Sequence, residues 1–160
     1  MYFAIIVYAI AMTIANLLVV AFGPAVTPIN AFVLIGLDLA LRDWLHLKLP
    51  AKKMLALIVA TGALTYALNP AAGQIAIASA VSFTAAALID WGVFQKLSRQ
   101  SWFVRSNVSN IAGAAVDSVI FPTIAFGVLM PQIVVMQFIA KVAGGALWSW
   151  AIARLTRNAA

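Results

Sequence analysis

The chain has 160 residues, of which 65% are hydrophobic and only 9% charged, with a formal net charge of +6. Water-soluble domains carry about 45–50% apolar and about 25% charged residues, so a soluble globular fold is excluded and an all-α integral membrane protein is indicated. With no cysteine and one histidine, His46, the chain cannot form disulfides or thiolate centres. No metal site or cofactor is expected. The basic residues sit beside apolar runs, a pattern of topology determinants next to anionic lipid and not of a nucleic-acid partner.

A bilayer core about 30 Å thick needs about 20 helical residues per crossing. Six apolar runs are predicted as transmembrane helices in a compact bundle, at 2–22, 27–47, 53–68, 74–97, 104–130 and 131–155, within a single membrane domain spanning 1–160. The first run lacks a basic leader and a small-residue cleavage site, so it reads as a span. The third is short, ending at Asn69-Pro70. None shows the strict alternation of barrel strands. Runs rich in Ala, Ser, Thr and Gly, such as 76–87, suit close helix packing in lipid. Lys48, Lys52 and Lys53 follow the second run, Lys96, Arg99 and Arg105 the fourth, and Arg154 and Arg157 close the sixth. The other connections carry no Lys or Arg, which places both termini in the cytoplasm.

All four acids are aspartates: Asp38, Asp43, Asp90 and Asp117. A charge at mid-membrane costs at least about 2.5–3.5 kcal/mol on insertion scales, so such residues are candidates for function. At 1.5 Å per residue, Asp38, Asp117 and Lys141 fall about 15–20 Å from the outer ends of their helices. Arg42 lies one turn from Asp38, and Asp90 lies nearer the level of Arg42. Asp43 reads as a solvated topology charge. Ser106, Asn110, Gly113 and Asp117 recur at helical spacing and form one polar face, with Phe121 one turn on and the helix breaker Pro122 beside it. Asn16 in the first run is a further interior-facing candidate. Trp44, Trp91, Trp102, Trp148 and Trp150 read as an interfacial belt.

The segments "FVLIGLDLALRD", "SFTAAALIDWGVFQKL", "RSNVSNIAGAAVDSVIFPTIAFG" and "QFIAKVAGGAL" resemble the Putative Vitamin Uptake Transporter family, which includes queuosine-precursor transporters. The resemblance implies a six-helix carrier like the substrate-binding subunits of energy-coupling-factor importers. It implies import of a 7-deazaguanine, such as the nitrile-bearing queuosine precursor, across the bacterial cytoplasmic (inner) membrane. Family carry-over falls on Asn16, Asp38, Arg42, Asp90, Ser109, Asn110, Asp117 and Lys141. The candidate ligand-binding set is therefore Asp117, Lys141, Asn110, Asp38, Asn16, Ser106, Ser109 and Phe121, with Arg42, Asp90 and Arg105 as a supporting charge network.

A carboxylate can accept both the N–H and the amino group of a guanine-like edge. The expected partners are thus a small purine-like molecule and the lipid bilayer; a homo-oligomer is compatible with both. The alternative is a ligand-binding subunit that needs a separate ATPase module. An enzyme is not expected, since the chain lacks Cys, a His pair and Glu. A purely structural or pore-forming bundle would bind no small molecule specifically.

Overall fold

A computed structural model describes residues 2–157. Residues 1 and 158–160 of the expected domain, and the side chains of His46, Ala51, Thr156 and Arg157, lie outside the described set.

Helix α1 (Tyr2–Phe22) ends where Gly23 adopts φ 66° and a 3₁₀ turn, Gly23–Val26, redirects the chain. Only glycine takes that left-handed conformation at little cost. The chain then folds back: Asn30 Nδ2 donates to the carbonyl of Ala15 at 2.9 Å. The returning rod comprises α2 (Thr27–Asn30), a π-helical turn at Ala31–Ile35, and α3 (Gly36–His46). Next come α4 (Ala51–Leu68), a 3₁₀ turn at Pro70–Ala72, and α5 (Gly73–Lys96). Helix α6 (Trp102–Phe126) runs through Pro122 and is followed by α7 (Pro131–Arg157). It stops before the apolar run 127–130 ends, because Gly127 (φ 72°) forms a left-handed C-cap.

The described residues are helical with no strands. Four stretches are long and apolar enough to cross a membrane by length and composition: Tyr2–Leu45, Pro70–Lys96, Trp102–Phe126 and Pro131–Leu155. The first folds back on itself at Gly23. Helix α4, with Lys52 and Lys53 in its first turn, is not among them. This is a multi-pass all-α membrane fold, in which the measure of length and hydropathy counts four spans where six were expected.

The distribution of side chains inverts that of a soluble protein. Ile6, Ile10 and Ile14 form an exposed stripe along α1, and Ile77, Val81 and Leu88 do the same on α5. Lipid is the natural solvent for such faces. All four aspartates are buried, at 0–3% exposure. Asp43 is therefore not a solvated topology charge: α3 is wrapped by α1, α4, α6 and α7, so even its polar flank is interior. Lys48, Lys52, Lys53, Lys96, Arg99 and Arg154 are exposed, as topology charges should be.

Helices α3 and α7 meet backbone to backbone. A Cβ on Gly144 would lie 2.1 Å from the carbonyl oxygen of Phe32, and one on Gly36 would lie 2.6 Å from the Gly144 backbone. Small residues permit this approach in membranes, where packing and not water exclusion drives association. The π turn sits at the same contact. Trp148 Nε1 donates to the carbonyl of Val33 at 3.0 Å, a second donor beside the Gly36 N–H to a carbonyl in the widened turn. Trp148 is thus tied to α2–α3 by its indole and is not simply a belt residue.

Candidate functional site

Lys141 of α7 and Asp117 of α6 meet at 2.7 Å, both almost fully buried. The Lys141 ammonium also donates to Ser118 Oγ (3.1 Å) and Gln137 Oε1 (2.9 Å), so its three protons all have acceptors. Asp117 Oδ2 is occupied by Lys141, whereas Oδ1 has no partner.

This pair borders a small interior cavity lined by α1, α2, the π turn, α5, α6 and α7. Its polar lining is Asn16, Thr27, Asn30, Ser79, Asp117, Gln137 and Lys141; Phe83 and Phe121 are its aromatic walls. Asn16 is pinned by Ser79, whose hydroxyl donates to its Oδ1, and by its own donation to Thr65 Oγ1 at 3.3 Å. Asn30 uses its amide nitrogen on Ala15, which fixes the flip and leaves Oδ1 unclaimed. Gln137 uses its oxygen on Lys141, which leaves Nε2 unclaimed. Unclaimed buried polar groups are costly, so three on the residues that line one cavity make it the candidate site. The space open to the centre of a water molecule is about 20 Å³, enough for roughly one water. A bicyclic base does not fit in a space of this size.

A wider hollow of about 640 Å³ lies between Trp44, Trp102, Phe103, Trp150 and Arg154, at the opposite end. Its one charged side chain, Arg154, is exposed and stacks on Trp150 at 4.4 Å. The small cavity is the better candidate, because its buried charges and unclaimed polar atoms need a reason to be there.

Of the residues expected to bind ligand, Asp117, Lys141, Asn16 and Phe121 line this cavity. Asp38, Asn110, Ser106 and Ser109 do not. Asp38 lies deeper, among Tyr8, Arg42, Asp90 and Asp117. Asn110 Nδ2 donates to Ser106 Oγ at 3.3 Å, Ser106 donates to Asp43 Oδ2 at 2.5 Å, and Ser106 and Ser149 hydroxyls lie 3.0 Å apart. Ser109 bonds its own helix, to the Ser106 carbonyl. Arg42 and Asp90 are buried together, with Arg42 Nη2 3.6 Å from where a Cβ on Gly113 would stand. Arg105 is elsewhere: it stacks on Phe94 at 3.8 Å and donates to the Phe94 carbonyl. Gln137 and Ser79 were not singled out from the sequence. Gln137 stands one turn before Lys141 on the same face, a signal available in the spacing; Ser79 offers none among many small polar residues.

The fold and site define a multi-pass, all-α membrane protein with a buried ion pair beside a small interior cavity. The chain belongs to the Putative Vitamin Uptake Transporter family, whose sequence model matches residues 2–155. No curated protein and no solved structure matches it.

Proposed function

We propose that this vitamin-uptake-family protein imports a purine-like base of the 7-deazaguanine class across the cytoplasmic membrane. One observation carries the reading. The residues that line the cavity carry two unclaimed acceptors, Asp117 Oδ1 and Asn30 Oδ1, and one unclaimed donor, Gln137 Nε2. A guanine-like edge is the complement: two neighbouring donors, N–H and amino, and one carbonyl acceptor. Hydrogen bonds to an ionised group are the stronger kind, about 1.5–3 kcal/mol each. Phe83 and Phe121 give the ring apolar and aromatic contact.

The exposed basic residues support an orientation with both termini inside. The cavity then lies toward the outer side, near the Gly23 turn, which suits capture from outside.

The test is binding to purified protein of the nitrile-bearing 7-deazaguanine and of the same compound without its 2-amino group. Loss of the amino donor should weaken binding by about ten- to a hundredfold, the equivalent of one charge-assisted hydrogen bond. Equal affinity for both, or no binding of either, overturns the reading. Uptake by protein reconstituted alone in liposomes tells a self-sufficient carrier from a subunit that needs an ATPase.

A further inference from the structure

Three of the chain's five tryptophans converge where three helix ends meet. Trp44 and Leu47 come from the end of α3, Trp102 and Phe103 open α6, and Trp150 and Arg154 lie near the end of α7. Between them is the hollow of about 640 Å³, which the uptake reading does not use.

The hollow has an aromatic body and a cationic rim. Lys48 Nζ stands 5.0 Å from the ring centre of Trp44, and the Arg154 guanidinium stands 4.4 Å from that of Trp150. Both cations are exposed, and each is held over an indole by attraction to its π face. One comes from the α3 wall and the other from the α7 wall. No carboxylate neutralises them: all four aspartates are interior, and every exposed charged side chain among the described residues is basic. The indole N–H of Trp102 is buried without an acceptor. The first turn of α6, whose leading N–H groups have no partner within the helix, starts in the same wall. Positive charge and hydrogen-bond donors thus dominate the polar lining.

An anion is the complement, and the apolar lining says which kind. Leu47, Phe103 and Trp150 are exposed, a surface that inorganic phosphate cannot cover but a glycerol backbone and its acyl chains can. Tryptophans and basic side chains at helix ends sit at the headgroup level of a bilayer, and an anionic headgroup there is drawn to each nearby Lys or Arg. A zwitterionic headgroup matches less well. Its ammonium would meet Lys48 and Arg154, with no exposed carboxylate to receive it and one face each of Trp44 and Trp150 already taken.

We propose that this hollow seats an anionic phospholipid, with its phosphate held by Lys48 and Arg154 and its glycerol end against Trp44 and Trp150. The lipid bridges the ends of α3, α6 and α7. These same helices are joined further in by the chain from Asp43 through the Ser106 hydroxyl to Ser149.

Brominated lipids added to delipidated protein in neutral detergent test this, because bromine quenches only nearby indoles. Brominated phosphatidylglycerol should quench the wild-type protein at concentrations where brominated phosphatidylcholine does not. Lys48→Gln/Arg154→Gln protein should need about thirtyfold more of the anionic lipid, the worth of two basic residues at a membrane surface. Both residues are exposed, so its melting temperature without lipid should match the wild type. Lys53→Gln/Lys96→Gln, which removes two exposed cations that stand over no ring of the hollow, is the control for surface charge and should bind as the wild type does. Equal quenching by the two lipids, or an equal loss in the control, overturns the site. Displacement of the brominated lipid by inorganic phosphate gives the hollow to a free anion and overturns the lipid. Disulfide-linked dimers of Ser101→Cys protein, in a chain with no other cysteine, place a second copy there and also overturn it. None of these readouts depends on uptake.

Discussion

Lys141 crosses from α7 to Asp117 on α6 with all three of its protons accepted, while Asp117 keeps one oxygen free at the cavity wall. In the proposed function the cation holds α6 to α7 on one side and orients the carboxylate toward a ligand on the other. Replacing it tests both roles. Lys141→Met leaves a buried, uncompensated carboxylate and should cost about 3–5 kcal/mol of stability. Adding Asp117→Asn should restore much of that loss without restoring ligand binding. Thermal unfolding in detergent and ligand titration, run as a double-mutant cycle, check this.

In the proposed function the unclaimed amide of Gln137 meets a ligand carbonyl. Gln137→Leu should weaken binding of the nitrile-bearing 7-deazaguanine by about tenfold, the worth of a hydrogen bond near 1.4 kcal/mol. Calorimetric titration measures it, and an unchanged dissociation constant removes Gln137 from the site.

Gly36 and Gly144 set how closely α3 and α7 approach. The obstacles to a Cβ on either are backbone atoms, which cannot rotate away. Gly144→Ala should destabilise by about 3 kcal/mol, at the upper end of overpacking costs, or prevent assembly. Gly92→Ala, which meets nothing within 4 Å, is the control. Comparing their melting temperatures decides it.

Trp148 ties α7 to the π turn through the Val33 carbonyl. Trp148→Phe keeps the aromatic bulk and deletes the donor. The expected loss is about 0.5–1.5 kcal/mol. Faster hydrogen exchange in 31–35 than in the rest of the rod would place the effect at the π turn; uniform exchange would not.

Much of this protein was legible from spacing. The α6 stripe of Ser106, Asn110, Gly113 and Asp117 is buried along its whole length, because helical periodicity puts those residues on one face in any packing. Reach was not legible. Depth estimates grouped Asp38 with Asp117 and Lys141, yet Asp38 faces Tyr8 and Arg42 outside the cavity. Rise per residue fixes height along a helix and says nothing about its rotation. The π turn was also hidden, since Ala31–Ile35 reads as an unbroken apolar helix.

By itself, the sequence determined the solvent and the all-helical class. A chain this apolar has its backbone bonds satisfied within helices, and its few charges cannot face lipid. Its spacing also determined which residues share the interior face of α6. Only the tertiary structure decided which charges become partners. Rotation of each helix, set by contacts such as Gly144 against Phe32, gave Lys141 to Asp117 and kept Asp38 out of the cavity. Hydrogen bonds and ion pairs act over a few ångströms, and at that range the rotation of a helix matters as much as its length.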